Sequence, residues 1–179
     1  MRFFLRVIAG IARRTPLVAP AGFFTRPTAD RAKENLFNIL GARVKSACVA
    51  DFFCGSGAIG IEALSRGAKN AVFVDNEPLA IRALETNLAK TKLQNAQIFQ
   101  IDAQQAIMRF SAQKQMFDLI FLDPPYNLPQ TSQIISEMFS VLAKNGTIIA
   151  ETQSDFTHNE EFLADVRVYG RTKFLFYAL

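Results

Sequence analysis

From residue 47 onward, short apolar runs alternate with longer segments of helical spacing, and this alternation constrains the fold more than any other feature. It predicts strands at 47–53, 70–75, 96–101, 117–123, 146–151, 164–169 and 173–178, and helices at 58–66, 78–91, 103–110 and 130–143. Strands that alternate with helices of about ten residues are typical of βαβ units and a parallel sheet. Three residues separate the last two strands, so these should form an antiparallel hairpin. The predicted fold is α/β, with a seven-stranded, mostly parallel sheet that ends in this hairpin.

Residues 1–46 differ from the rest of the chain in charge. They hold nine basic and two acidic side chains, a net charge of +7, whereas residues 47–179 hold eleven basic and fourteen acidic, a net charge of −3. A basic extension on a mildly acidic body favours a polyanionic partner such as nucleic acid, although a solvated basic surface would have the same composition. We expect this extension to pack on residues 47–179, so that the 179 residues form in effect one domain.

The extension has its own predicted elements. The pattern predicts a strand at 3–9, a loop or hairpin at 10–24, and a helix from about Asp30 to Leu40 with Thr28 or Asp30 as its cap. No apolar run approaches the roughly 20 residues that span a bilayer. Cys48 and Cys54 form no CxxC pair, so neither a disulfide framework nor a metal site is predicted, and a reducing cytoplasm is favoured.

A glycine-rich loop, residues 55–60, follows the first predicted strand and opens a helix. Gly55 and Gly57 allow the backbone to turn tightly and approach a ligand, and Gly60 permits close packing of helix on strand. The segment also fits the dinucleotide pattern GxGxxG, which alone is weak evidence. Asp51, however, stands four residues before the first glycine, where it can reach the ammonium group of S-adenosylmethionine (AdoMet).

Acidic residues end four successive predicted strands: Asp51, Asp75, Asp102 and Asp123. Asp75 can accept from both ribose hydroxyls, which suits AdoMet and NAD equally, and Asp102 can accept from an adenine amino group. Helix capping would explain any one of these acids, but it explains all four together poorly. The pattern therefore favours AdoMet. The residues predicted to bind it are Asp51, Cys54, Gly55, Gly57, Asp75, Asn76, Asp102 and Ala103.

The turn Asp123-Pro124-Pro125-Tyr126 indicates the reaction. Two prolines end the preceding apolar strand abruptly, at the sheet edge where open α/β sheets bind ligands. Asp123 and the Pro124 carbonyl can accept hydrogen bonds from an exocyclic amine while Tyr126 stacks on the base, which favours methyl transfer to nitrogen. A base inside a helix must be flipped out or unpaired to reach such a turn. The structural alternative is a strand terminator followed by a core aromatic residue.

Three segments carry a resemblance to one family: residues 25–31 with 34–38, residues 53–60 with 62–68, and residues 117–126. The chain resembles the bacterial 16S ribosomal RNA guanine-N2 methyltransferases of the RsmD type from about Val7 to the C-terminal hairpin. The first segment is the specific one, since the other two motifs occur in many methyltransferases. Cys54 stands where the family usually has alanine, and Asp75 where glutamate is common.

The resemblance implies a Rossmann-like class I AdoMet-dependent methyltransferase fold, with residues 47–179 as the catalytic domain. It implies methyl transfer from AdoMet to the N2 of one guanine, of the guanine-966 type, in the 16S rRNA of the small ribosomal subunit. It also implies roles for Arg26, Thr28 and Arg31 near the cofactor or RNA entrance. Arg13 and Arg14 match more loosely and are predicted RNA contacts. A cytoplasmic monomer is expected.

Other functions stay open at this point. DNA adenine-N6 methyltransferases use the same turn, but they usually carry a separate target-recognition region that is not evident here. Protein-glutamine methyltransferases more often have asparagine at the position of Asp123. A ribosome-assembly factor that binds RNA without catalysis is a third alternative, although its acids would then have no task. A dinucleotide oxidoreductase is the fourth, although the chain shows no evident hydride-handling residue.

Overall fold

The computed structural model describes residues 5–20, 27–125, 128–153 and 160–179, with backbone alone for 27–30. Its helices are α1 (Pro27–Leu40), α2 (Ala58–Ser65), α3 (Pro78–Thr91), α4 (Ala103–Ala112) and α5 (Thr131–Met138). Its strands are β1 (Cys48–Phe52), β2 (Asn70–Val74), β3 (Ala96–Phe99), β4 (Phe117–Leu122), β5 (Leu142–Gln153), β6 (Leu163–Tyr169) and β7 (Thr172–Tyr177). Short 3-10 turns, Gly41–Val44 and Phe139–Val141, follow α1 and α5. No helix of these residues is long and apolar enough to cross a membrane.

The strands form one sheet in the order β3-β2-β1-β4-β5-β7-β6. Strands β1 to β5 pair in parallel, and β7 pairs antiparallel to both β5 and β6. The predicted parallel sheet with a C-terminal antiparallel hairpin is thus confirmed. From β1 the chain moves outward first to β2 and β3 and then, on the other side, to β4 and β5. This reversal creates a topological switch point between β1 and β4, which is where open α/β sheets bind their ligands.

The two faces of the sheet carry separate apolar layers, because successive residues of a strand point to opposite faces. In β4, Leu119 and Phe121 pack toward α1, α2 and the N-terminal segment, whereas Ile120 and Leu122 pack toward α4 and α5. We call the first the α1–α3 face, since α3 also packs there through Leu84.

Two predicted elements of the chain are wrong in part. The strand at 3–9 shows, within residues 5–9, only an isolated bridge from Arg6 to Pro16. The segment instead folds back on itself, with Val7 N donating to Thr15 O at 3.0 Å. The helix predicted at 130–143 ends at Met138, because Leu142 pairs with β4 and so begins β5. Sheet pairing, which helical spacing cannot reveal, decides that boundary.

The ends of two other elements also shift. Helix α1 begins at Pro27, three residues before the predicted start, and proline suits the first turn of a helix. The two side chains predicted to cap it, Thr28 and Asp30, lie outside the described residues. Strand β3 ends at Phe99, two residues early.

A buried carboxylate attaches the N-terminal segment to the sheet layers. Glu62 of α2 is fully buried and accepts hydrogen bonds from Ile8 N at 2.7 Å and Ala9 N at 3.0 Å. It also pairs with Arg66 Nε at 2.7 Å and Lys33 Nζ at 3.6 Å. A buried charge is tolerated only with such a complete set of partners. The basic extension is therefore held by α2.

Candidate active site

Four acidic side chains lie along the carboxyl edge of the sheet, on the α1–α3 face. Each stands two residues after a core residue of that face: Val49 precedes Asp51, Phe73 precedes Asp75, Phe121 precedes Asp123, and Ile149 precedes Glu151. Strand alternation therefore directs all four to one side. The strand order places them in the sequence Asp75, Asp51, Asp123, Glu151, which crosses the switch point. We call this set the acid row.

The glycine-rich loop closes over one end of the acid row. Cys54 N donates to Val74 O at 3.1 Å, and Gly57 N donates to Cys54 O at 2.7 Å. Gly57 has a φ of +74°, and a Cβ there would lie 2.3 Å from Leu84 Cδ1. Gly55 has a φ of +54°, but a Cβ there would meet nothing within 4 Å. The loop is therefore packed tightly beneath Gly57 and open above Gly55, where a ligand has room.

Helix α2 approaches the sheet closely at Gly60. A Cβ at this position would lie 2.3 Å from the ring of Phe73, so glycine allows the packing that the sequence predicted. The same residue donates its N–H to Asp51 Oδ2 at 2.9 Å. Asp51 is only 3% exposed. Burial raises the pKa of Asp51 to about 8; the Gly60 bond lowers it, and the charges of Asp123 and Asp75 raise it further.

Asp75 connects the loop to the next helix. Its Oδ2 accepts from Gly55 N at 2.8 Å and its Oδ1 accepts from Glu77 N at 2.9 Å, just before α3 begins. The neighbouring residue, Asn76, is exposed at the edge. Asp75 is therefore fixed by backbone donors, with the open side of the loop beside it.

Asp102 lies further out, and here the capping explanation holds in part. It is three residues beyond the end of β3 and caps α4, where its Oδ1 accepts from Gln104 N at 2.8 Å. The side chain is exposed, and the adjacent Ala103 is buried in the first turn of α4. The predicted adenine contact of Asp102 and the predicted cofactor contact of Ala103 stay predictions.

The Asp-Pro-Pro turn leaves the sheet next to β1. Asp123 N donates to Phe52 O at 3.3 Å, and Pro125 O accepts from Leu128 N at 2.9 Å. Pro124 is buried and Pro125 is exposed. Desolvation by the surrounding protein raises the pKa of the Asp123 carboxyl. The residue is nevertheless exposed to solvent at the sheet edge, and this exposure limits the rise. Tyr126 lies outside the described residues.

Sequence reasoning missed the last member of the acid row, Glu151. It is half-buried at the end of the parallel part of β5, next to Asp123. Burial raises the pKa of Glu151, and the charge of Asp123 raises it further. The signal was present in the sequence, since Ile149-Ala150-Glu151 is another apolar run that ends in an acid.

Sequence reasoning also missed Asn87, a fully buried amide on α3. Its Nδ2 donates to Val18 O and to Ser56 O, both at 2.9 Å, and its Oδ1 accepts from Val18 N at 2.7 Å. One side chain therefore joins the N-terminal segment, the glycine-rich loop and α3. The available signal was its position three residues after Leu84, where helical spacing places a polar side chain on the apolar face of α3.

Cys54 is a packing residue in this site. It is 7% exposed, and burial raises the pKa of its thiol, as do the charges of Asp51 and Asp75. A thiol in such surroundings stays protonated and unreactive. Among the described residues, no group of three or more metal-ligating side chains is placed to hold an ion.

Three of the predicted RNA-binding residues, Arg13, Arg14 and Arg31, have described side chains. Arg13 and Arg14 are exposed in a turn beside the C-terminal end of α2, where Ile11 N donates to Ser65 O at 2.9 Å. Arg31 is exposed on α1. Arg26 and the side chain of Thr28 lie outside the described residues, so their predicted roles stay predictions.

A separate hollow lies on the opposite face, between α5 and the C-terminal hairpin. It measures about 280 Å³, and Ile135, Phe139, Phe162 and Tyr177 are among its lining residues. No member of the acid row lines it. The chemistry expected from the sequence therefore belongs to the sheet edge and not to this hollow.

The chain is similar to known proteins over most of its length. The family model of conserved hypothetical protein 95 matches residues 5–178. Ribosomal RNA small subunit methyltransferase D of Haemophilus influenzae is 37% identical over 84% of this chain and 80% of its own length. A solved hypothetical protein of Thermus thermophilus superposes with a TM-score of 0.86 at 29% identity, over 97% of this chain and 99% of that one.

A more distant likeness concerns the fold alone. A SAM-dependent methyltransferase of Agrobacterium tumefaciens superposes with a TM-score of 0.69 at 16% identity, over 86% of this chain and 63% of that one.

Proposed function

The chain belongs to the family of conserved hypothetical protein 95, as its resemblance to the RsmD-type methyltransferases led us to expect, and we propose that it methylates small-subunit ribosomal RNA. In finer detail, it transfers a methyl group from AdoMet to the exocyclic N2 of a guanine. The observation that carries the proposal is the acid row, which runs across the switch point between β1 and β4.

The β2 and β1 half of the row fits AdoMet. The cofactor has a positive sulfonium and a positive ammonium group, which suit an edge lined by carboxylates. None of the ion pairs among the described residues neutralises Asp51 or Asp75. Asp75 binds the ribose hydroxyls, Asp51 faces the ammonium, Asp102 accepts from the adenine amine, and the open side of Gly55 gives the backbone approach.

The β4 half binds the acceptor. AdoMet supplies an electrophilic methyl group, so the protein needs mainly to align the nucleophile and exclude water. Asp123 and the Pro124 carbonyl accept from the two N–H groups of the amine, which directs its lone pair at the methyl carbon. As the new N–C bond forms, the S–C bond breaks and neutral S-adenosylhomocysteine leaves. Asp123 stabilises the charge that develops on nitrogen, whose extra proton then goes to Asp123 or to water.

The basic extension supports RNA as the substrate. Residues 1–46 carry a net charge of +7, and Glu62 attaches this segment to the catalytic layers. Arg13, Arg14, Arg26, Thr28 and Arg31 are the proposed RNA contacts, with Tyr126 stacking on the flipped base. Residues 47–179 are the proposed catalytic domain, acting as a monomer.

The test is a methyl-transfer assay on small-subunit particles from cells that lack this protein. Purified protein and labelled AdoMet are added, and the RNA is digested to nucleosides. We expect the label in N2-methylguanosine. Label in N6-methyladenosine would move the reaction to adenine, and particle binding without any label would indicate an assembly factor.

A further inference from the structure

The second carboxyl of the acceptor half, Glu151, has no task in the mechanism above. The register pairs Leu122 of β4 with Ala150 of β5, so Asp123 and Glu151 follow at the same level on neighbouring strands. Parallel strands lie about 4.8 Å apart, and residues at one level point to the same face. The two carboxyls are therefore side by side.

Neither carboxyl is satisfied by the described residues that surround it. Within the described residues, Asp123 and Glu151 accept no side-chain hydrogen bond and form no ion pair. In contrast, Asp51 and Asp75 accept backbone N–H groups. A half-buried carboxyl without donors, such as that of Glu151, is costly, so the pair is suited to a ligand that brings two adjacent donors.

Guanine offers two such donors and adenine does not. The edge of guanine carries N1–H beside the N2 amine, whereas adenine carries an unprotonated N1 beside its N6 amine. An ionised carboxylate only accepts hydrogen bonds, so it attracts N1–H and repels the lone pair of adenine N1. With the reacting amine held by Asp123, a base whose N1 edge is turned toward β5 presents N1–H to Glu151, whereas the opposite orientation would present the lone pair of N3.

We propose that Glu151 selects guanine by accepting a hydrogen bond from N1–H while Asp123 accepts from the N2 amine. The inference rests on the proposed function, since it concerns the same base. The hydrogen bond from N1–H to Glu151 would distinguish guanine from adenine, although the Asp-Pro-Pro turn itself serves both bases in other enzymes. Burial raises the pKa of Glu151, so the selective, ionised form gains population as pH rises, and an N1–H donor from the base would stabilise that form.

The experiment uses 2,6-diaminopurine, which keeps the N2 amine but has a lone pair at N1. The target guanine, mapped by the nucleoside assay, is replaced by this base in a ligated small-subunit RNA. Wild-type protein should prefer guanine by at least about 100-fold in kcat/KM. In Glu151→Gln the amide can turn its NH2 to the lone pair, so the preference should fall below about tenfold.

Three further measurements make the result decisive. Glu85→Gln makes the same chemical change on the exposed surface of α3 and should keep the wild-type ratio. An AdoMet affinity equal to that of the wild type shows that Glu151→Gln is folded. If Glu151→Gln does not fold, Glu151→Asp is used instead; it keeps the charge and should retain the guanine preference. An unchanged ratio in folded Glu151→Gln overturns the inference alone. Wild-type protein that labels neither RNA overturns the proposed function instead.

Discussion

The two halves of the acid row differ in how their carboxyls are satisfied. On the β2 and β1 side, Asp75 and Asp51 accept backbone N–H groups of the glycine-rich loop and of α2. On the β4 and β5 side, Asp123 and Glu151 accept none within the described residues. The first half is thus built before any ligand arrives, and the second half has acceptors left for one. Cofactor binding should depend on loop geometry, and turnover on the unsatisfied carboxyls.

The largest effect should come from Asp123→Ala. Removing this carboxylate removes the acceptor that stabilises developing charge on nitrogen, so turnover should fall about 100- to 1,000-fold. AdoMet affinity, measured by calorimetry, should stay close to that of the wild type because the loop is untouched. An equal loss of AdoMet affinity would erase the distinction between the halves.

The pH dependence of AdoMet affinity tests the role of Asp51 in the β2 and β1 half of the acid row. Its raised pKa of about 8 means that the carboxyl is largely protonated below that pH, and only the ionised form attracts the ammonium group. AdoMet should therefore bind more tightly as pH rises from 5.5 to 7.5, by up to about tenfold per pH unit. Asp51→Asn should remove this dependence, while Asp165→Asn on the edge strand β6, where the carboxylate pairs with Arg167 far from the acid row in the strand order, should keep it. A steep dependence that survives in Asp51→Asn would contradict the assignment.

The same pKa makes a prediction about stability without AdoMet. The folded-state pKa of Asp51 lies above the ordinary value of 3.8, so the folded state binds more protons between these values. Its contribution to the free energy of unfolding is present at low pH and is lost as pH rises from about 4 to about 8. Urea unfolding of wild type and Asp51→Asn should show this difference in slope.

Gly57→Ala tests whether the loop is built in advance. Gly57 and Gly170 both have positive φ, +74° and +62°, but only at Gly57 would a Cβ collide, at 2.3 Å from Leu84 Cδ1. Gly170→Ala should cost about 1–2 kcal/mol from backbone strain alone. Gly57→Ala should cost about 1–3 kcal/mol more and weaken AdoMet binding. Equal unfolding free energies in the two variants would show that the loop adapts.

The smallest effect concerns a region outside both halves. Replacing Arg13 and Arg14 by alanine should weaken RNA binding most at low salt. The variant neutralises fewer RNA phosphates and so releases fewer counterions, and counterion release favours binding most when the salt concentration is low. The slope of log K against log salt should become less steep by about 1.5. Arg82→Ala with Lys90→Ala removes the same charge from the exposed side of α3 and serves as the control. A slope equal to that of the control would exclude the arginines from the RNA interface.

Local pattern was sufficient to predict Asp51, Asp75 and Asp123, but not the role of Glu151. Asp51 was predicted because it lies near the end of an apolar run just before the glycine-rich loop, and Asp75 because it ends the next apolar run. The adjacency of Glu151 to Asp123 depends on β5 pairing with β4, a contact between residues far apart in sequence. The same pairing ended α5 at Met138 instead of at residue 143. Long-range pairing of this kind leaves no periodic signal.

A structure with S-adenosylhomocysteine bound tests the division of the edge most directly. We predict the ribose hydroxyls at Asp75, the ammonium group facing Asp51, and the sulfur at the switch point, directed toward Asp123. The carboxyls of Asp123 and Glu151 should remain open for the base. A ligand whose ribose or adenine lies over β4 and β5, or one bound in the hollow beside α5, would contradict the account.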